Sequence, residues 1–278
     1  MAKSTPNRVV GFFIFLKMRG GLTVEFLLAV QFLTKIPVTV RGSVDEKKLA
    51  RSMAFFSLVG VLLGACAAAL HALTSLVFAP PVCNLAALAF LIIITGNLHG
   101  DGLMDTADGL FSGRPLERML EIMRDSRVGS HGVMAGVLIV LAKFVLLGQM
   151  PVAMQGIALI LTTAFGRWSQ VYGAAFYPYA RSTGGTGNFT SHVGYREMVY
   201  NSLTVLLLTL FLLRFQGLIL LIAVLAGTAL LEWYIARRIG GITGDTLGAT
   251  SECIEVLTLL ILLVIFTKFN PVIINTFF

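Results

Sequence analysis

The chain has 278 residues, of which 56% are hydrophobic and 13% charged, and carries a formal net charge of +7. A mean hydropathy of +0.86 is far above that of a soluble globular domain, and apolar runs of membrane-spanning length recur along the chain. This excludes a large soluble domain, which would need about 100 residues of mixed composition; it also reads the positive charge as loops meeting anionic head groups, with no nucleic-acid partner.

Residues 1–21 read as an N-terminal extension, and 22–278 as a single integral membrane domain. In the extension Lys3 and Arg8 flank a short apolar run, and Lys17, Met18 and Arg19 stand where a small-residue cleavage site would be, so an uncleaved segment is expected. The stretch LTVEFLLAVQFLT at 22–34 is short for a crossing and carries Glu25; a re-entrant helix, an interfacial helix and a tight first span are all open. Spans are predicted at 53–78, 82–98, 132–150, 152–177, 199–213, 216–236 and 254–269. The expected fold is therefore all-α: a polytopic transmembrane helix bundle of about seven spans, with the short N-terminal apolar segment and cytoplasmic surface helices. Loops 35–51, 99–131, 178–198 and 237–252 hold thirteen of the twenty-one Lys and Arg, which places them in the cytoplasm. Cys66, Cys83 and Cys253 lie far apart in or beside apolar runs and read as inert thiols. His71 reads as a helix-packing residue.

The scarce negative charge is concentrated in GNLHGDGLMDTADGLFSG, residues 96–113. Of six aspartates in the chain, Asp101, Asp105, Asp108 and Asp125 fall between 101 and 125. Positions 101, 105 and 108 follow the i, i+4, i+7 spacing that puts three carboxylates on one helix face. Such charges repel, and an all-oxygen donor set suits Mg²⁺ or Mn²⁺, which is shared with substrate phosphates. A solvated acidic helix face is the alternative, but acids at the end of a span are costly.

Downstream, Leu116, Met119, Leu120 and Met123 form one apolar stripe, expected to lie along the membrane surface. Arg124 and Arg127 flank Ser126 and either contact head groups or clamp a phosphate. Lys143 and Arg167 fall at membrane depth, and Arg167, near mid-span, is expected to be functional or paired. Two further polar islands are YPYARSTGGTGNFTSH at 177–192, with Arg181, and GGITGDTLGATSE at 240–252. The second reads either as a Gly-rich linker or as the source of a further metal or nucleotide contact, Asp245.

His99-x-Asp101-Gly102-Leu103-x-Asp105-x-x-Asp108-Gly109 followed by ERMLEIMRDSRVGSHG resembles the cobalamin synthase (adenosylcobinamide-GDP ribazoletransferase) family. QFLTKIPV at 31–38, FFSLVG at 55–60, YPYAR with GTG at 177–187 and GGITGDTLGATSE agree, in the same order. Ser57, where proline is expected, is a departure. The resemblance implies a Mg²⁺-dependent transfer joining adenosylcobinamide-GDP to α-ribazole, or its 5′-phosphate, with release of GMP. It implies that Asp101, Asp105, Asp108 and Asp245 hold the metal, that Arg124, Ser126, Arg127, Arg167 and Arg181 bind phosphate, and that His99 or an aspartate accepts the hydroxyl proton. It implies a multi-pass protein of the bacterial cytoplasmic (inner) membrane, in contact with the lipid bilayer, and leaves a homo-oligomer open. A CDP-alcohol-type phosphotransferase is the nearest rival, but Asp105-Thr106 stands where that family has Ala-Arg. A cation transporter ranks lower, since the acids cluster in one segment rather than along several spans.

Overall fold

Apolar runs broken by glycine, proline and capping residues fold as helices throughout. The computed structural model describes residues 21–38, 40, 43–181 and 187–268, so all but the last residue of the expected N-terminal extension lies outside the described residues. The helices are α1 (Gly21–Leu33), α2 (Glu46–Ser52), α3 (Phe56–Thr74), α4 (Pro80–Thr95), α5 (Leu98–Leu110), α6 (Leu116–Ile122), α7 (Ser130–Gly148), α8 (Val152–Phe176), α9 (Tyr195–Leu213), α10 (Gly217–Ile239) and α11 (Gly244–Lys268). No strand forms among the described residues.

Local chemistry sets the ends. Asp45 caps α2 by accepting the Lys48 N–H at 2.7 Å. Pro80 and Pro81 open α4, where a missing N–H leaves nothing unbonded. The helix stops at Gly96, φ +63°, and Asn97 follows at φ +58°. Two successive left-handed residues turn the chain by 84° into α5, and glycine and asparagine are the residues that tolerate this best. Thr243 and Thr246 cap α11 reciprocally: the Thr246 N–H donates to Thr243 Oγ1 at 3.2 Å and the Thr243 N–H to Thr246 Oγ1 at 2.8 Å. The stretch 244–252 is consequently helical rather than a Gly-rich linker.

All seven segments expected to span are helical. By length and composition, four helical runs can cross a membrane: Glu46–Thr74, Ser130–Gly148, Tyr195–Ile239 and Gly244–Lys268, with the bent pair α4–α5 as a fifth if it is one span. The difference from seven has identifiable causes. At 16 residues α4 is short on its own. Buried Gln155, Thr162, Thr163, Arg167, Ser169 and Gln170 lower the hydropathy of α8, which packs at the centre against α3, α9 and α11. The run 195–239 holds two helices joined by a 3-10 turn at Arg214–Gln216. Gly187 packs beside Gly244 and Tyr179 bridges Ile242, so the start of α9 and the end of α10 share one end of the bundle and the two form a hairpin. Its outward residues are apolar, with Phe211 80% and Ile222 68% exposed, as a lipid-facing surface requires.

The four basic loop segments meet at one end. Asn188 donates to Glu46 at 3.1 Å and the Ala180 N–H donates to the Ile242 carbonyl at 2.8 Å. Part of the apolar stripe of α6 packs there as well: Met119 and Met123 are buried against Leu110, Ile235 and Ile239, while Leu116 stays exposed. Cys66, Cys83 and Cys253 are free thiols, of which Cys83 is buried and Cys66 exposed. His71 is buried and meets Asn84 at 3.0 Å, joining α3 to α4.

Asn201 in α9 bridges the break between α2 and α3. Its Nδ2 donates to the Met53 and Glu197 carbonyls, both at 2.7 Å, and its Oδ1 accepts the Ser57 N–H at 2.8 Å. Ser57 thus uses the N–H that a proline would lack. Asn201→Leu strands buried backbone groups, each worth about 1–3 kcal/mol. Thermal unfolding in detergent is expected to show a clear loss of stability for this variant and none for Phe211→Leu on the outer surface; an unmoved midpoint for Asn201→Leu would contradict the bridge.

Candidate active site

At the polar end α5 lies directly against α11. A Cβ on Gly102 would sit 2.7 Å from the Asp245 carbonyl oxygen, so only glycine allows this approach. The contact brings Asp101 and Asp105 beside Asp245, from a segment far away in sequence. At 13 residues with three aspartates, α5 is too short and too polar to cross a membrane, and it lies beyond the bend. Neither Asp101 nor Asp105 accepts a hydrogen bond from a described residue. Burial, then the charges of Asp101, Asp245 and Asp108, push Asp105 up to about 7, against the opposing pull of Arg181. Asp245 accepts from Arg181 Nη2 at 2.8 Å and from Thr243 Oγ1 at 3.3 Å. Arg181 is itself half-buried, and its Nε has no partner among the described residues.

Asp108 does a different job from its two neighbours on the shared face. Its carboxylate accepts the Gly129 N–H at 2.7 Å and the Gly132 N–H at 2.9 Å, capping the start of α7 with a full negative charge. The carboxylates free for a cation are therefore Asp101 and Asp105, with Asp245 supplied by α11. Among the described residues no group of three or more His, Cys, Asp or Glu forms a ready metal cage. The donor chemistry still fits a hard divalent ion: two carboxylates have no side-chain partner among the described residues, a third shares one arginine, and burial together with their mutual repulsion lifts Asp105.

The expected phosphate ligands divide. Arg181 touches the carboxylate cluster through Asp245. Arg124, Ser126 and Arg127 sit on the exposed turn after α6, and Arg127 is bonded to Asp125, with Nη2 to Oδ2 at 2.6 Å. Arg167 lies apart from that cluster: it is buried in α8 and ion-paired with Glu255 of α11. Lys143 of α7 joins the same carboxylate and reaches Glu252 at 2.6 Å. Two cations and two anions so neutralise one another inside the bundle. His99 is 3% exposed and its Nε2 has no hydrogen-bond partner among the described residues. Burial first, then Arg167 and Lys143, hold its imidazole well below the usual range, against a hydrogen bond with Gln170, so the neutral form is favoured. Sequence reasoning missed Glu255 and Gln170. Unexplained Lys143 and Arg167 at membrane depth were a signal that a buried acid had to exist, and Glu252 and Glu255 stand one helical turn apart.

A helical bundle with an apolar outer surface and a carboxylate–arginine cluster at one end defines a membrane-type protein whose chemistry sits at that end. The chain belongs to the cobalamin-5-phosphate synthase family, whose model matches residues 25–263. The adenosylcobinamide-GDP ribazoletransferase of Desulforamulus reducens is 42% identical over 241 residues, which is 85% of this chain and 94% of that protein. Those of Klebsiella pneumoniae and Acetivibrio thermocellus are 38% and 36% identical, covering 86% and 82% of this chain and 99% and 92% of theirs. No solved structure matches the chain.

Two pairs of substitutions test these assignments by thermal unfolding. Asp108→Ala removes charged bonds to two backbone amides and is expected to lose about 2–3 kcal/mol, whereas Asp105→Asn relieves repulsion and leaves stability equal or higher. Equal losses for both would return Asp108 to the open cluster. Glu255→Gln strands Arg167 and leaves Lys143 with Glu252 alone, and is expected to cost about 3 kcal/mol or more, against a near-neutral Glu121→Gln on the exposed face of α6. A mild Glu255 variant would mean that the network does not hold α7, α8 and α11 together.

Proposed function

We infer that the chain joins adenosylcobinamide-GDP to α-ribazole, or to its 5′-phosphate, giving adenosylcobalamin, or its 5′-phosphate, and GMP. Family membership over nearly the whole chain supports the reaction class. The observation in the fold that carries it is the meeting of Asp101, Asp105 and Asp245 with Arg181 at one end of the bundle. In the reaction a ribose hydroxyl attacks the pyrophosphate phosphorus on the corrinoid side. A new P–O ester bond forms, the P–O–P bridge breaks, GMP leaves with its negative charge, and the hydroxyl proton goes to a base.

This chain's residues answer those needs in turn. Asp101, Asp105 and Asp245 would hold a Mg²⁺ ion, which when bound neutralises phosphoryl and leaving-group oxygens. Arg181 keeps Asp245 oriented and has an unpartnered Nε with which to meet the pyrophosphate. Arg124, Ser126 and Arg127 lie on the exposed turn, where the nucleotide's outer phosphate would pass. His99, with its neutral form favoured and its Nε2 unpartnered among the described residues, is the candidate to accept the proton. Thirteen of twenty-one basic residues fall in the four loops that converge on this end, which supports an inner-membrane protein with its site facing the cytoplasm.

The test is GMP release by purified protein in liposomes, given adenosylcobinamide-GDP and α-ribazole. Mg²⁺-dependent GMP and corrinoid product are expected from the wild type, with EDTA abolishing both. Asp105→Asn, nearly isosteric, is expected to lower turnover at least a hundredfold while remaining folded. Turnover undiminished in that variant would remove the carboxylate cluster from the chemistry, and an inactive wild type would remove the reaction itself.

A further inference from the structure

A recess of about 110 Å³ opens between α1, α3, α5, α8 and α11 and the 3-10 turn Asn188–His192. Asp101 and Asp245 are among its lining residues, which joins it to the carboxylate cluster. Its other walls are of a different kind. Phe32 stacks on Phe56 with ring centroids 5.7 Å apart and planes at 23°, and it meets Phe189 edge-on at 5.5 Å and 77°. Two polar side chains line the recess with buried nitrogens that have no hydrogen-bond partner among the described residues: His99 Nε2 and Gln170 Nε2. Both residues are more than nine-tenths buried, at 3% and 4% exposure. The two side chains are neighbours and interact with each other; buried polar atoms are ordinarily satisfied, so two nitrogens without a partner among the described residues, on side chains that line one aromatic-walled space, mark where a ligand's polar atoms belong.

We propose that this recess seats the base of the ribazole acceptor, and that Phe32, Phe56, Phe189 and Gln170 set the enzyme's preference for that base. The proposal rests on the transferase reading above. Phosphate does not suit the recess: its walls are apolar and carboxylates border it. The ring faces and edges suit a planar heteroaromatic group. Three bases enter the reaction, and two of them, the adenine of the adenosyl group and the guanine, are purines with several donors and acceptors along their edges. Guanine presents donors and acceptors along its whole edge, and two nitrogens would leave most of them unmatched, each at a cost of about 1–3 kcal/mol when buried. The ribazole base is an apolar, methyl-bearing bicycle with a single free ring nitrogen. That nitrogen is an acceptor, and the Gln170 Nε2–H can donate to it. An enclosed apolar cavity of about 150 Å³ holds a benzene ring, so this smaller, open recess takes the leading edge of the bicycle and leaves the ribose at the mouth. One glycosidic bond then places the attacking hydroxyl beside Asp101 and Asp245.

Free 5,6-dimethylbenzimidazole is the probe, titrated calorimetrically into detergent-purified protein, with GMP titrated in parallel. The wild type is expected to bind the free base, and the base is expected to compete with α-ribazole but not with adenosylcobinamide-GDP. Gln170→Met keeps the size of the side chain and removes its donor; Phe32→Leu removes a ring. Each is expected to weaken the base about tenfold and to raise the KM for α-ribazole by more than kcat falls, while GMP affinity moves less than twofold. Retained GMP binding shows that the variants are folded. A wild type with no affinity for the free base overturns the proposal, as does a loss of GMP binding in place of base binding, which would assign the recess to guanine. Base binding that is sensitive to Gln170→Met in a protein that releases no GMP would uphold the subsite and sink the transferase reading.

Discussion

Glu255 is a carboxylate inside an apolar bundle, and its charge must be neutralised for the fold to exist. It is met by Arg167 from α8 and Lys143 from α7, with Glu252 balancing the second cation. α7 and α8 are two of the helices packed on α11, with α5 and α10, so the network fixes the rotation and depth of α11 against that side of the bundle. Asp245 lies ten residues, or about 15 Å of helix, toward the polar end. Its position beside Gly102 follows from that register. A slip of one residue would turn Asp245 by about 100° away from α5 and leave Gly102 facing a side chain instead of backbone.

The second constraint is repulsion among the carboxylates the fold assembles. The structure relieves it in three ways. Asp108 is drawn off to the backbone amides that start α7. Asp245 is shared with Arg181. Asp101 and Asp105 remain close with no side-chain partner among the described residues, and Asp105, buried as well as repelled, holds its proton far above the usual carboxylate range. A folded protein keeps such an arrangement at a cost to its stability, as functional sites commonly do.

Most of the helices were legible because hydropathy and period speak directly to a bilayer. So was the residue face of Asp101, Asp105 and Asp108, since spacing alone sets it. What sequence could not supply was which carboxylate points where: Asp108 differs from Asp105 only through the amides of Gly129 and Gly132, which arrive from the next helix. The helical start within 240–252 was not legible because four glycines obscured the Thr243–Thr246 cap, a signal visible in retrospect as two threonines three residues apart, although Asp245 there was legible as a candidate contact. Arg167 was legible as a charge needing an explanation, and its partner was not, because Glu255 lay within a predicted span. The aromatic recess was invisible, for Phe32, Phe56 and Phe189 come from three separate segments and each alone looks like core.

That recess and the carboxylate cluster share α5 and α11 and differ in chemistry on opposite sides of the same few residues. Asp101 and Asp245 belong to both. One side offers unpaired negative charge and an arginine, suited to a cation and a pyrophosphate. The other offers ring faces and two lone nitrogens, suited to a flat, weakly polar group. A transfer between two large substrates needs this kind of division, because each partner must be held by features the other lacks while their reacting atoms meet. The bend at Gly96–Asn97 makes the division geometrically available: by turning α5 across the end of the bundle, it gives one short helix a charged face toward the α6–α7 turn and a packed face toward the aromatic side chains.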